Sequence, residues 1–232
     1  MHALTLLGEQ GMIVIAMENY LTCTEIIDCD TESIVAKAQE LTHGLETDRE
    51  KAVALFYFVR DGIKYNPYAP GDFHDNRASV VLERGHGFCY QKAILLAALA
   101  RAVGIPARLG FADIRNHLMS KEFSKKMFGS NVLVYHGWAE LYIDDSWVIA
   151  TPAYDLKTCK AGGFIPVEFD GVSDAKFHRS NRDGKLHIEY IKQHGHYEDL
   201  PWAEIIDASM EMMAKLGVDR DEFIARWTET RE

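Results

Sequence analysis

Cys89 is the residue of this sequence best placed to act as a nucleophile. Two glycines, Gly85 and Gly87, precede it, and an apolar run from Ala93 to Val103 follows it. Such a run is typical of a buried helix, so Cys89 is predicted to lie in the first turn of that helix. Unpaired backbone N–H groups and partial positive charge at a helix N-terminus stabilise a thiolate. The pattern therefore predicts a thiol with a lowered pKa.

The chemistry expected of such a cysteine is acyl transfer. The free N–H groups of the first turn would hold the oxyanion of the intermediate, and the glycines would let the loop approach a substrate closely. Activation predicts alkylation of Cys89 with a midpoint well below the free-thiol value of about 8.5, moved upward by His136→Ala. The alternative interpretation is that Cys89 is a small buried hydrophobe.

His136 is the candidate base. It lies in the middle of a stretch, Val132 to Ile143, that is predicted to form a long strand. Strict alternation would place Val134, His136 and Trp138 on one face and Tyr135, Gly137 and Ala139 on the other. A glycine inside a strand indicates that another group approaches closely. From this strand His136 would face the cysteine helix and accept the thiol proton; the alternative is a hydrogen-bonded core histidine.

The elements that must position these two residues indicate an α+β fold with an antiparallel sheet packed against the cysteine helix. Helices are predicted from Asp30 or Thr31 to about Thr42, from Asp48 to about Asp61, from Ser79 to about Glu83, and from Cys89 to Gly104. Strands are predicted at Tyr20 to Ile27, Ala107 to Ala112, Val132 to Ile143 and Ser146 to Ala150, the last two joined by a turn at Asp144-Asp145.

The remaining segments are less regular. Asn116 to Gly129 carries apolar residues among basic ones and is interpreted as a helical insertion, either a lid or a surface connection. The tail from Pro166 to Gly195 is mixed in pattern. Ala203 to Leu216 and Arg220 to Thr230 are predicted to be helices.

Two stretches together carry a resemblance to a known family. Gly87-Phe88-Cys89 opens an Ala/Leu-rich helix that is followed by Gly104-Ile105-Pro106-Ala107-Arg108, and the His136 hairpin contains Trp138, Glu140 and Trp147. This combination, spanning about Ala52 to Asp155, resembles the transglutaminase-like superfamily of papain-type folds. From Met17 onward the chain is similar to bacterial transglutaminase-domain proteins of about this size.

The resemblance implies a Cys-His-Asp triad with Cys89 as nucleophile and His136 as base. The third member in the family is usually an Asp in an Asp-Pro pair after the second hairpin strand, and this sequence has Thr151-Pro152 there. Thr151 can accept a hydrogen bond from the imidazole but carries no charge, so it would stabilise an imidazolium less. Asp155 and Asp170 are the alternatives for the third position.

The reaction that the resemblance implies proceeds through a thioester on Cys89. Water would resolve it in a protease or amidase, and an amine would resolve it in an acyltransferase. The expected partner is a peptide, protein or small amide substrate, with Phe88, Tyr135 and Trp138 lining its pocket; core packing is the alternative role for these aromatic residues. A catalytically silent module that binds a peptide in the same groove is the alternative function.

Composition narrows the function classes further. The chain has 47% hydrophobic and 26% charged residues and a formal net charge of −10, which argues against nucleic acid and anionic membrane surfaces as partners. Cys23, Cys29, Cys89 and Cys159 are few and scattered, so reduced thiols and a cytoplasmic protein are expected. His187, His194 and His196 match no closed zinc set, and there is no dinucleotide or phosphate-loop fingerprint; we expect neither metal nor cofactor.

The predicted domain organisation is a single domain over residues 17–232. Its core covers about 52–155 and its C-terminal helical part about 200–230. Residues 1–16 are interpreted as an N-terminal extension, with Met17 as the natural start.

Overall fold

The computed structural model describes residues 17–127, 129–219 and 221, and it confirms the α+β prediction. The helices are α1 (Glu32–Thr42), α2 (Asp48–Tyr57), α3 (Ala78–Arg84), α4 (Cys89–Ala102), α5 (Lys121–Lys126), α6 (Leu156–Gly162) and α7 (Trp202–Lys215). The strands are β1 (Lys64–Tyr65), β2 (His86–Gly87), β3 (Ala107–Asn116), β4 (Val132–Ile143), β5 (Ser146–Ala150) and β6 (Ile188–Tyr197). A π-helical turn, Phe58–Gly62, follows α2, and a 3-10 turn, Phe73–Asn76, precedes α3.

Helices α1 and α2 begin and end close to the predicted residues. Gly44, in the left-handed region at φ +77°, follows α1 as expected. The cap of α2 is Thr47 rather than Asp48. The Thr47 hydroxyl accepts the N–H of Glu50 at 3.2 Å, and the Glu50 carboxylate accepts the N–H of Thr47 at 3.0 Å, which forms a reciprocal capping box.

The predicted strand at Tyr20 to Ile27 is wrong. The segment is a series of turns closed by a Cys23–Cys29 disulfide with a Cα–Cα distance of 5.2 Å. The expectation that these two cysteines are reduced is therefore wrong as well, whereas Cys89 and Cys159 are free. Disulfides are uncommon in a reducing cytosol, so the cytoplasmic location stays a prediction without its cysteine support.

Helix α4 lies at the centre of the molecule. Every residue from Gln91 to Arg101 is buried, because α1, α2 and α3 pack on one side and β3 and β4 on the other. A helix with apolar residues on every side is stable only when it is covered on every side. The prediction of a cysteine helix packed against an antiparallel sheet is confirmed.

Two charged residues of α4 are buried with it. The ammonium group of Lys92 donates to the carbonyl oxygens of Arg60 at 2.9 Å and Ile63 at 2.7 Å, and burial lowers its pKa to about 7. The guanidinium of Arg101 donates to the carbonyl oxygen of Ala107 at 2.8 and 3.1 Å. Both side chains thus satisfy backbone carbonyls of the segments that surround the helix.

The main sheet has the strand order β5-β4-β3-β6 and is antiparallel throughout. The β4–β5 hairpin has the predicted bounds, with Ala139 paired with Ala150 and positive φ at both Asp144 and Asp145, as a tight hairpin turn requires. Strand β3 extends four residues beyond the predicted Ala112. Strand β6, in part within the segment that gave no clear pattern, forms one edge of the sheet.

A β-bulge interrupts β4 immediately before His136. Ala112 pairs with His136, but Ile114 pairs with Leu133, so β4 has one extra residue. Tyr135 takes φ +51°, and its N–H donates to a carboxylate oxygen of Asp113 at 3.1 Å. The strict alternation predicted for this part of the strand is therefore wrong, and the bulge turns consecutive side chains toward one region.

Gly137 allows close contact between β4 and α4, as predicted from its position inside a strand. A Cβ atom built at Gly137 would lie 2.6 Å from the Cβ of Tyr90 and 2.8 Å from the Phe111 ring. Only a residue without a side chain permits this approach, which brings the first turn of α4 against the strand that carries His136.

The C-terminal half differs from the prediction in length and number of helices. In the described part of the insertion between β3 and β4, the regular structure is the short helix α5, and α6 was not predicted. Helix α7 lies within one residue of its predicted bounds, and most of the second predicted C-terminal helix, Arg220 to Thr230, falls outside the described residues. No helix among the described residues is long and apolar enough to cross a membrane.

His187 is buried among aromatic side chains. Its ring stacks on Phe164 at 4.1 Å between centroids and lies 6.2 Å from the ring of Tyr154. Its Nε2 is buried without a hydrogen-bond partner among the described residues, and burial lowers its pKa to about 4. The folded protein therefore holds this imidazole neutral.

Replacing His187 with Phe is expected to reduce the acid sensitivity of folding. An unfolded chain binds a proton at this histidine below about pH 6.5, whereas the folded chain does not until about pH 4, so the free energy of unfolding decreases as pH falls through that interval. Between pH 7 and pH 5, the free energy of unfolding measured with urea should decrease by about 2 kcal/mol less in His187→Phe than in the wild type. The matched control is His74→Phe at an exposed histidine; equal slopes in all three proteins would contradict the prediction.

Candidate active site

Cys89 is the first residue of α4, as predicted, and its thiol faces backbone donors. The N–H groups of Gly137, Tyr90 and Cys89 itself point at the sulfur and lower the thiol pKa, but burial has the larger effect and raises it above its ordinary value. The predicted lowering of the pKa is therefore wrong. The cost of removing the thiolate from water is larger than the stabilisation that the helix N-terminus gives it.

His136 is 2% exposed and precedes Gly137 on β4. Its ring stacks on Phe177 at 4.9 Å between centroids, with an interplanar angle of 25°. Burial lowers its pKa to about 3, so the imidazole is neutral near pH 7. Its Nε2 is buried without a hydrogen-bond partner in the described part of the chain.

The structure brings Cys89 and His136 to the same place. Both side chains line one cavity, and Gly137, the residue after His136, closely approaches Tyr90, the residue after Cys89. Since burial favours the neutral form of each, the resting pair is a thiol and a neutral imidazole. An attack by the sulfur must then be accompanied by proton transfer to the ring.

Thr151 lies beyond the end of β5. Its N–H donates to the carbonyl oxygen of Ala175 at 3.0 Å, and its hydroxyl is buried without a partner among the described residues. Ala150 pairs with Ala139, so continuing this register by one residue places Thr151 on the face that carries His136. Two buried polar atoms without partners, the hydroxyl of Thr151 and Nε2 of His136, therefore belong to one face of the hairpin.

The alternative carboxylates for the third position are engaged elsewhere. Asp155 accepts the N–H of Tyr65 and the N–H of Thr158, each at 2.7 Å, and so caps α6 and ties it to β1. Although burial raises the pKa of Asp155, these donors outweigh it and hold the pKa below its ordinary range. Asp170 is exposed in a turn, where it accepts the N–H groups of Val172 and Ser173.

A cavity of about 320 Å³ opens beside Cys89 and His136. Phe88 and Tyr135 line it, as predicted. Trp138 does not. It is 4% exposed and packs over Gly110, and its indole N–H donates to Glu140 at 2.9 Å. The prediction that Trp138 contacts substrate is corrected to the alternative role of core packing.

Gln91 supports the site and was missed from the sequence. Its side-chain carbonyl accepts the N–H of Phe88 at 3.3 Å, and its amide donates to the carbonyl oxygen of Pro70 at 2.7 Å and to Asn76 at 2.9 Å. This fully buried amide fixes the residue before Cys89 to the loop that forms one wall of the cavity. The available signal was a polar residue within the first turn of an otherwise apolar helix.

Two of the three histidines considered as metal ligands have carboxylate partners, and the third, His187, is stacked on Phe164. His194 contacts Asp113 at 2.7 Å and His196 contacts Glu140 at 2.9 Å. Within the described ranges, no group of three or more His, Cys, Asp or Glu side chains is arranged to hold a metal ion.

Residues 35–152, just over half of the chain, match the family model of the transglutaminase-like superfamily. The chain belongs to this superfamily, and the resemblance inferred from the sequence is confirmed. No curated protein matches the chain.

Three solved structures are similar to part of the chain. A protein of Cytophaga hutchinsonii described as a candidate cysteine protease is 20% identical over 59% of this chain and 42% of its own, with a TM-score of 0.47. A candidate protease of Parabacteroides distasonis is 15% identical over 58% and 26%, with a TM-score of 0.39. The periplasmic domain of TgpA from Pseudomonas aeruginosa is 19% identical over 60% and 47%, with a TM-score of 0.42. The chain thus spans less than half the length of each.

Alkylation of Cys89 by iodoacetamide is expected to have a midpoint above the free-thiol value of about 8.5, because burial raises the thiol pKa. The rate at each pH is measured from the Cys89 peptide by mass spectrometry. His136→Ala should leave the midpoint nearly unchanged, since a neutral imidazole does not stabilise the thiolate by charge. The unfolded protein in urea supplies the free-thiol reference, and a midpoint well below it in the folded protein would contradict this prediction.

Proposed function

We propose that this protein is a cysteine-dependent hydrolase of amide bonds in peptides or proteins. Cys89 is the nucleophile, His136 the general base and acid, and Thr151 the residue that orients the imidazole. The observation that carries the proposal is that the side chains of Cys89 and His136 line one cavity, where the close approach of Gly137 to Tyr90 brings the first turn of α4 against the strand of His136.

The first half of the reaction forms a thioester. The sulfur of Cys89 attacks the substrate carbonyl carbon while its proton passes to the neutral ring of His136. The N–H of Cys89, at the first turn of α4, stabilises the negative charge that develops on the carbonyl oxygen. The C–N bond then breaks, and the leaving amine takes the proton from His136.

The second half regenerates the thiol. The ring of His136 removes a proton from a water molecule, which attacks the thioester carbonyl, and the sulfur leaves and recovers the proton from the imidazolium. An amine in place of water would give acyl transfer by the same steps. Because Thr151 carries no charge, the imidazolium in both halves is stabilised less than it would be by a carboxylate.

A catalytically silent module that binds a peptide is the second candidate. Three observations favour it: the raised pKa of Cys89, the pKa of about 3 of His136, and the uncharged residue at the third position. A binding module needs the cavity but not the proton transfer. The hydrolase therefore predicts turnover that depends on the Cys89 thiol, whereas the binding module predicts no turnover.

Cys89→Ala is expected to abolish hydrolysis of a fluorogenic peptide and ester panel, and His136→Ala to lower kcat by about 10²–10⁴-fold, because each removes a group that takes part in proton transfer or bond formation. Cys159→Ala is the matched control, since Cys159 is a free, buried cysteine distant in sequence from the nucleophile. Equal product formation by wild type and Cys89→Ala would rule out the hydrolase.

Thr151→Val is expected to lower kcat about tenfold with little change in KM, because it removes the acceptor that orients the imidazole. Thr151→Ser keeps the hydroxyl and should retain the wild-type rate. Thr151→Asp should raise the apparent pKa of His136, seen by NMR titration of the ring, because a nearby anion favours the imidazolium. Wild-type kcat in the valine variant would show that Thr151 is not the third residue.

A further inference from the structure

The cavity beside Cys89 is built from five separate parts of the chain, one of which is the insertion between β3 and β4, with Phe123 and Met127. The loop after β1 contributes one wall, and the start of α4 with the bulged part of β4 contributes the floor. Helix α7 covers the opposite side with Trp202, Ile205, Ile206, Met212 and Met213, together with Ser209. Its volume of about 320 Å³ lies at the lower end of the range of small-ligand pockets, about 300–1,000 Å³.

Helix α7 presents an apolar stripe to this cavity. Residues 202, 205, 206, 209, 212 and 213 recur at the three- and four-residue spacing of one helix face. The helix is fixed above the cavity by Glu204, whose carboxylate accepts the hydroxyls of Tyr135 at 3.1 Å and Tyr197 at 2.7 Å. The two methionines of the stripe have flexible side chains that adapt to the shape of an apolar ligand.

The cavity offers little to a charged ligand. Asp72 is the only acidic or basic residue among the described residues that line it, apart from His136, which burial keeps neutral. An anion placed here would lose its hydration without gaining an opposite charge, and a cation would have only Asp72, which already has other interactions, to offset the loss. An aromatic or branched aliphatic group loses nothing by the transfer and gains the burial of its apolar surface.

We infer that this cavity is the specificity pocket of the enzyme and holds a bulky, uncharged, apolar group, aromatic or branched aliphatic, that the substrate carries next to the carbonyl attacked by Cys89. The inference deepens the proposed function and rests on it for the reaction. The preference itself depends only on the lining of the pocket and on the position of the Cys89 thiol at its floor.

Three chloroacetamides that share one aromatic ring test the preference. The reagents are N-benzylchloroacetamide, its 4-carboxybenzyl analogue and its 4-aminomethylbenzyl analogue, and the rate of Cys89 alkylation is measured by mass spectrometry of the Cys89 peptide. Each rate is divided by the rate with N-acetylcysteine, which removes differences in intrinsic reactivity. The benzyl reagent is expected to react at least tenfold faster than either charged analogue and to show saturation.

A substitution in the apolar stripe of α7 gives a second test of the preference for uncharged groups. Met212→Lys places a cation in the pocket and should lower the benzyl rate and raise the 4-carboxybenzyl rate, which reverses their order. Ala214→Lys makes the same charge change at an exposed position of α7 and should keep the wild-type order. The wild-type comparison needs no variant, so it remains decisive if Met212→Lys does not fold.

Alkylation requires the thiol but no turnover, so the two ideas fail separately. A benzyl preference without hydrolysis of any peptide would overturn the hydrolase and support the pocket. Hydrolysis that depends on Cys89, with equal or faster alkylation by the charged reagents, would overturn the pocket and leave the hydrolase.

Discussion

The burial of helix α4 on every side is the constraint on which the rest of the structure depends. The first residue of the helix, Cys89, is half-buried and lines the cavity, whereas Gln91 to Arg101 have no solvent face and lie inside the protein. Its charged residues must find partners there, so Lys92 and Arg101 bond to backbone carbonyls of neighbouring segments. The loop before Cys89 is fixed in the same way, through the side chain of Gln91.

The same burial determines the protonation state of the candidate catalytic pair, Cys89 and His136. A solvated cysteine at a helix N-terminus would favour the thiolate, but here desolvation opposes charge on the sulfur and on the imidazole together. The pair is held in its neutral form, and charge develops only when substrate arrives and the proton moves. A substrate that excludes water from the cavity would then strengthen every remaining electrostatic interaction in it.

Much of this architecture could be predicted from patterns of residues that are close in sequence. The β4–β5 hairpin has its predicted bounds because its alternation and its Asp144-Asp145 turn agree with each other. The cysteine helix follows from its apolar run and the Gly104 stop. Strand β6 was missed because an edge strand exposes one side and carries polar residues there, which leaves a weak pattern.

The site depends on features that no local pattern contains. The bulge at Tyr135 exists because the carboxylate of Asp113, distant in sequence, accepts its N–H. Asp155 accepts the N–H of Tyr65, which is distant in sequence, and Trp138 packs over Gly110 of the neighbouring strand β3. Residue type and context therefore select Cys89 and His136 as candidates, and the structure places both in one cavity, but no local pattern indicates which neighbouring side chains face them.

The attachment of α7 has a consequence for how this scaffold diversifies. The helix contributes one face to the pocket but no strand to the sheet and no backbone to the Cys89–His136 pair, and the side-chain bonds that anchor it to β4 and β6 converge on one carboxylate. Side chains on that face can therefore be exchanged without changing the sheet or the segments that carry Cys89 and His136. One face of the cavity is thus encoded in a stretch of the chain separate from Cys89 and His136, and substitutions within a few turns of one helix would alter its shape.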